Sequence, residues 1–288
     1  MVTVVAHRGA SADRAEHTLA AYRRAVEVGA DALECDIRLT ADGVPVCVHD
    51  RRVDRTSNGQ GLVSLLEYAD LAQLDFAARR DLSAAADAGA GAADLVEQPD
   101  VAEDGRVLTL DALLSYVRDC GRPVEVAIET KHPTRYAGLV ERRLVEVLDR
   151  FGWAHPRLGD AVPVRVMSFS WLSLRRMRSL APSIPTVQLL ERVPLRLRDG
   201  TLPAHVQIAG PKIDVVRAHP RYVERVHRHG GAVHVWTVDD PADVDLCLSL
   251  GVDAIITNRP AEVLDRVRAG HITRSDVVAP PRRRALGR

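Results

Sequence analysis

The stretch Ala32-Leu33-Glu34-Cys35-Asp36-Ile37-Arg38-Leu39-Thr40-Ala41-Asp42-Gly43-Val44-Pro45-Val46-Cys47-Val48-His49 decides the fold. Ala32–Asp36 reads as a buried strand and Val44–His49 as another. The connection between them is too short for the crossover that parallel neighbours require. It is therefore a hairpin that turns at Asp42-Gly43, a pair suited to the positive φ of a tight turn. Folding about that turn sets Asp36 opposite roughly Val48 and returns His49 to the side of Glu34 and Asp36.

Outward from this hairpin the chain alternates short β-branched runs with helical patterns, the signature of βα units around a parallel sheet. The strands are expected at Val2–Ala6, Ala32–Asp36, Val124–Ile128, Val164–Met167, Thr186–Leu190, Val206–Ala209, Ala232–Trp236 and Ala254–Thr257. Helices are expected at Thr18–Val28, Leu110–Cys120, Gly138–Phe151, Trp171–Leu180, Arg221–His229, Pro241–Leu250 and Pro260–Ala269. The last two begin on a proline, whose missing N–H costs little in a first turn. Val193-Pro194-Leu195 reads as a short or irregular helix. Eight such strands predict a closed (β/α)8 or TIM barrel over residues 1–272. An insertion over residues 51–107 separates the hairpin from the next barrel helix. Its stretch Ser83–Gly105, rich in Ala, Asp and Gly, is expected to be mobile. Residues 273–288, ending Pro280-Pro281-Arg282-Arg283-Arg284-Ala285-Leu286-Gly287-Arg288, read as a disordered basic tail.

Composition narrows the function classes. The 288 residues are 46% hydrophobic and 27% charged, which suits one large α/β domain as well as two small ones. Formal net charge is zero, so no overall field draws nucleic acid or an anionic membrane. Specificity must come from a local site. The start, MVTVVAHRGAS, has no basic segment leading into a long apolar run, and no stretch approaches the roughly 18 apolar residues of a membrane span. The chain is expected to be cytoplasmic, without stable membrane association. Cys35, Cys47, Cys120 and Cys247 lack metal-binding CxxC spacing and are expected as free, mostly buried thiols. Basic residues are almost all arginine, which draws attention to the two lysines, Lys131 and Lys212.

In a TIM barrel the C-terminal strand ends form the active face. Those ends carry His7 and Arg8, then Glu34 and Asp36, then His49, then Glu129 and Lys131. Glu34 and Asp36, two apart on a strand, share one face about 7 Å apart. With Glu129 they make a hard-oxygen set that suits Mg²⁺ or Ca²⁺ better than Zn²⁺. Any one of them could be a solvated charge paired with Arg8 or Arg38, but all three fall at adjacent strand ends. Two histidines beside them fit displacement at phosphorus, which needs a base for the nucleophile and an acid for the leaving oxygen. Arg8 and Lys131 supply positive charge for a phosphodiester, or pair with the carboxylates.

The runs HRGAS (His7–Ser11), EHTLAAYRRAVEVGAD (Glu16–Asp31), LECDIRLTADGVPVCVHD (Leu33–Asp50), DRTSNGQG (Asp54–Gly61), LTLDALL (Leu108–Leu114), VAIETK (Val126–Lys131), SFS (Ser168–Ser170), VHVWTVDD (Val233–Asp240) and GVDAIITNRP (Gly251–Pro260) resemble glycerophosphodiester phosphodiesterases. The likeness spans almost the whole chain in order. It implies a TIM barrel with an insertion after the hairpin and a divalent cation on Glu34, Asp36 and Glu129. It also implies His7 and His49 as the acid–base pair, Arg8 and Lys131 on the phosphate, and Phe169 and Trp236 near the substrate. The family's reaction is hydrolysis of a glycerophosphodiester to glycerol 3-phosphate and an alcohol, begun by attack of the substrate's own glycerol hydroxyl.

Three positions depart from the family's pattern. Glu16-His17-Thr18 stands for Glu-Asn-Thr, Thr257-Asn258 for Thr-Asp, and Val107-Leu108-Thr109 for Ile-Pro-Thr. None removes an expected ligand or acid–base group. Three readings are open: a phosphodiesterase for soluble glycerophosphodiesters, a phospholipase D of the same barrel type for lysophospholipids or sphingomyelin, and a non-catalytic phosphate-binding barrel. The last is disfavoured because every expected chemical group is present.

Overall fold

The computed structural model describes residues 2–78, 105–134, 137–157 and 162–276, with backbone alone from residue 270. The parallel strands are β1 (Thr3–His7), β2 (Ala32–Leu39), β4 (Glu125–Thr130), β5 (Val164–Ser168), β6 (Thr186–Leu190), β7 (Ile208–Pro211), β8 (Ala232–Val235) and β9 (Ala254–Thr257). Because β1 pairs with both β2 and β9, the sheet closes into the expected barrel. The helices between strands are α1 (Leu19–Val28), α3 (Leu110–Asp119), α4 (Leu139–Arg150), α5 (Trp171–Leu180), α6 (Ile213–Ala218), α7 (Arg221–Arg228), α8 (Pro241–Leu250) and α9 (Pro260–Asp276), with the short α2 (Tyr68–Leu71) in the insertion. Side-chain oxygens of Thr18, Thr109, Ser170 and Asp240 cap α1, α3, α5 and α8, satisfying amide groups that a helix start leaves unpaired.

Strand alternation sorts the side chains. On β2, Leu33, Cys35 and Ile37 face the helices and pack in one apolar layer with Leu113, Leu144 and Leu148. Ala32 instead joins Val5, Ala127, Met167, Val187 and Ile256 in a second cluster inside the ring. Continuing that inner series by twos leads from Val5 to His7, from Ala32 to Glu34 and Asp36, and from Ala127 to Glu129. The barrel is thus apolar below and charged at its upper end.

The hairpin forms as expected. β3 (Pro45–Cys47) runs antiparallel to β2 with Ile37 opposite Cys47, and Val48 N–H donates to Asp36 O at 3.0 Å. β1 ends opposite Glu34, so β3 takes over the same edge of β2 from Ile37 upward, while β4 holds the other. The insertion leaves this edge and returns to it: Cys47 N–H donates to Leu108 O at 2.8 Å and Val46 bridges Thr109.

Several boundaries differ from expectation. β7 begins at Ile208 instead of Val206, because Val206 N–H bonds back to Pro203 O in a turn. α6 was not anticipated: at six residues it is too short to show a helical period. The irregular segment after β6 contains a single 3-10 turn, Leu195–Leu197. α9 runs through Asp276, into the segment expected as tail from residue 273. The remainder of that tail, and Ser83–Gly105 apart from Gly105 itself, lie outside the described residues. No described helix is long and apolar enough to cross a membrane. The cysteines are free thiols, Cys120 half-buried and the others buried.

Candidate active site

Carboxylate oxygens of Glu34, Asp36 and Glu129 lie within 4.8 Å of one another at the upper end of β2 and β4. The register explains the meeting, since Asp36 stands opposite Glu129 and Glu34 opposite His7. All three are buried. Burial, then the Asp36 charge, pushes the Glu34 carboxyl well above the carboxylate range and Glu129 up to about 8. Burial also works against Asp36, but its hydrogen bond from His17 and the charges of Lys131 and Arg8 offset this and hold it well below the usual range. Asp36 Oδ1 accepts no hydrogen bond: Lys131 Nζ lies 3.0 Å away without the alignment of one. A buried carboxylate oxygen without a hydrogen-bond partner, beside two carboxyls held up by burial and then by like charge, is the donor set that a hard divalent cation satisfies.

The two basic groups bind this cluster directly. Lys131 Nζ is 2.9 Å from Glu129 Oε1, and Arg8 Nε is 3.2 Å from Asp36 Oδ2. Both alternatives posed for them therefore meet at one place, since pairing with the carboxylates aims them into the mouth. Arg8 is held by its backbone as well. Its N–H donates to Glu34 Oε2 at 2.9 Å, and its φ of 57° places it in the left-handed region. His17, at φ 62°, donates its N–H to Arg8 O at 3.0 Å, so the two unusual residues lock together.

His7 and His49 line one cavity of about 160 Å³ together with Arg8, Glu34, Glu129 and Lys131. Asn258 Nδ2 donates to Asp239 at 2.6 Å, which leaves its oxygen facing His7 Nδ1 at 2.7 Å. His7 therefore carries its proton on Nδ1 and keeps Nε2 bare, a tautomer assigned from the network. Burial, then the Arg8 charge, lowers its pKa to about 4. His49 donates Nδ1–H to Asp50 Oδ1 at 2.8 Å, and Asp50 is itself held by Arg55 at 2.6 Å. Arg38 fixes the His49 backbone by donating to its carbonyl at 3.0 and 2.8 Å.

Phe169 and Trp236 meet edge to face with centroids 5.5 Å apart, and both line the same cavity. Phe169 is 43% exposed. Lys212 is absent from this group and pairs with Asp214 at 2.6 Å.

The supporting groups were not singled out from the residue pattern. His17 is one of the departures from the family's pattern, and its Nε2 lies 2.9 Å from Asp36. The Tyr22 hydroxyl donates to Glu34 O at 3.1 Å and shares a 2.8 Å contact with His17 Nδ1. Asn258, the second departure, orients His7. The acidic neighbour in His49-Asp50 was a readable signal for His49's partner, whereas Tyr22 and Asp239 carried none.

Comparison with known proteins fits this arrangement. The glycerophosphoryl diester phosphodiesterase family profile matches residues 7–262. A Mycobacterium tuberculosis protein named "Probable glycerophosphodiester phosphodiesterase 1" is 46% identical over 275 residues, covering 94% of this chain and 95% of its own. A Bacillus subtilis glycerophosphodiester phosphodiesterase is 32% identical over 277 residues, covering 94% and 87%. An Oleispira antarctica phosphodiesterase, solved with its product sn-glycerol-3-phosphate, superposes with a TM-score of 0.72 at 22% identity over 92% and 96% of the two chains. A match that begins at His7 and takes in the carboxylates of β2 and β4, the hairpin and Trp236 covers the whole mouth, and the chain belongs to the glycerophosphoryl diester phosphodiesterase family.

Proposed function

We propose that this chain hydrolyses glycerophosphodiesters to glycerol 3-phosphate and a free alcohol, with Mg²⁺ or Ca²⁺ held by Glu34, Asp36 and Glu129. The observation that carries the reading is the cluster of three buried carboxylates, two of which, Glu34 and Glu129, line one cavity with His7 and His49. When bound, the cation offsets the charge that develops on the phosphoryl oxygens. Arg8 and Lys131 grip those oxygens and orient the diester. His7 and His49 serve as the acid–base pair, one accepting the proton of the attacking hydroxyl and the other supplying the proton that the leaving alkoxide needs. Their ring orientations are held by Asn258 and Asp50, so neither must reorganise during turnover. Phe169 and Trp236 wall the cavity with apolar surface against the glycerol carbons and limit water. The test is an assay of glycerol 3-phosphate release from a panel of diesters, with chelator and after re-addition of each cation. Full activity in chelator would refute the metal assignment, and no release from any diester would refute the activity.

One observation favours a second reading, cleavage of lysophospholipids. Trp171 and Leu172 at the start of α5 and Leu195 in the 3-10 turn after β6 are exposed large apolar residues on the same upper face as Phe169, where an acyl chain could lie. Comparing kcat/KM for glycerophosphocholine and lysophosphatidylcholine, with the lipid below its micellar concentration, separates the two. We expect the soluble diester to win.

A further inference from the structure

A second cavity, of about 340 Å³, opens beside the catalytic one on the side of β2 and the insertion, and Lys131 lines both. Its polar wall is formed by Arg38, Arg51 and Lys131, and its apolar wall includes Leu62 and Leu65. No acidic residue lines it among the described residues. That is unusual for this part of the molecule, where Arg8, Arg52 and Arg55 each end on a carboxylate. Arg38 ends on a backbone carbonyl, which leaves most of its guanidinium donors unspent, and Arg51 pairs with no carboxylate among the described residues.

The position of this cavity gives it a role. Trp236 follows β8, across the barrel from β2 and β4, so the Trp236 wall of the catalytic cavity and the cationic cavity lie on opposite sides of the carboxylate cluster. A phosphodiester seated on that cluster has two substituents to accommodate. The small aromatic-walled cavity fits the glycerol common to every substrate of the class, and the larger cationic one is left for the alcohol that varies. A guanidinium pair free of carboxylates recognises an anionic group by paired, charge-assisted hydrogen bonds and repels an ammonium.

We propose that the Arg38–Arg51 cavity is the head-group subsite and selects glycerophosphodiesters whose alcohol carries an anionic group, a carboxylate or a further phosphate, over those with a purely cationic head group. This rests on the diesterase reading above. Glycerophosphoserine and glycerophosphoethanolamine differ by one carboxylate and form the cleanest pair of probes, with glycerophosphocholine as the fully cationic comparison.

The experiment measures kcat/KM for the three diesters on the wild-type protein and on Arg51→Glu and Arg51→Ala. Arg51 is chosen because Arg38 also fixes the His49 backbone. The wild type is expected to favour the serine diester by roughly ten- to a hundredfold, the usual worth of a hydrogen-bonded charge. Arg51→Ala should shrink the serine-to-ethanolamine ratio and Arg51→Glu should invert it, chiefly through KM. The ratio is internal to each variant, so a general loss of activity does not move it. Equal turnover of the three diesters, or a ratio that neither variant changes, overturns the subsite while leaving the diesterase intact. Turnover of none overturns the diesterase reading, and the subsite with it.

Discussion

Replacing Gly9 by alanine tests whether the loop that presents His7 and Arg8 is seated on α1 as closely as the structure has it. Gly9 has φ +84°, and a Cβ built there would lie 2.6 Å from Ala21 C, 2.7 Å from Ala21 Cβ and 2.8 Å from Ala21 O. None of these is the far end of a flexible side chain: they belong to a fully buried residue in a helix capped at Thr18. Two costs add. An L-residue in the left-handed region costs about 1–2 kcal/mol, offset by about 0.4–1 kcal/mol because alanine also restricts the unfolded chain. Overpacking against an immobile backbone adds about 1–3 kcal/mol. The expected loss is therefore about 1–5 kcal/mol, read as a lower midpoint in equilibrium urea unfolding at unchanged slope. Turnover should fall as well, because His7 and Arg8 immediately precede the displaced glycine. A variant within about 0.5 kcal/mol of wild type and with full kcat would refute the packing argument.

His7→Ala and His49→Ala are each expected to lower kcat by roughly 10²–10⁴-fold, and near-normal turnover of either folded variant would make that histidine structural. Glu129→Ala should weaken cation binding in calorimetric titration while leaving the circular dichroism spectrum unchanged, and an unaltered affinity would remove Glu129 from the ligand set. His234 lies inside the barrel on β8, where burial, then the Arg165 charge, lowers its pKa to about 3. The unfolded chain therefore takes up this proton first as pH falls. Its contribution is complete above about pH 6.5 and is lost progressively toward pH 3, on the order of a few kcal/mol. His234→Asn should flatten that acid limb of the stability profile, and an unchanged limb would show that other groups govern it.

What the sequence exposed and what it hid divide along physical lines. Period-2 alternation and the short Asp42-Gly43 connection are local signals, so the strand ends and the return of His49 beside Asp36 could be read before any contact was known. The carboxylate set was readable because its members sit at the same height on neighbouring strands. The ring orientations of His7 and His17 were not, since His7 depends on Asn258, 251 positions away, and Asp36 meets His17 only through the wrap of the α1 loop. The cationic cavity was hidden for the same reason: Arg38 and Arg51 become neighbours of Lys131 only once the barrel and the insertion are folded together.

The clamp at the base of the insertion has a consequence for how freely this protein can vary. Cys47 and Leu108 hold the two ends of the excursion together through the backbone, whatever lies between them. Closing a longer excursion then costs little, since each doubling of a flexible loop adds only about 0.6 kcal/mol of closure entropy. The excursion can therefore change length without shifting the β2–β3 register, provided that Val53, Val63, Leu71 and Phe76 still pack on Val46 and Val48 and that Arg55 still holds Asp50. The wall formed by Arg51, Leu62 and Leu65 belongs to that tolerant segment, whereas the carboxylates and His7 belong to a closed ring in which a slip of one residue would turn every inward side chain outward. The part of the molecule that chooses its alcohol is free to drift, and the part that breaks the bond is not.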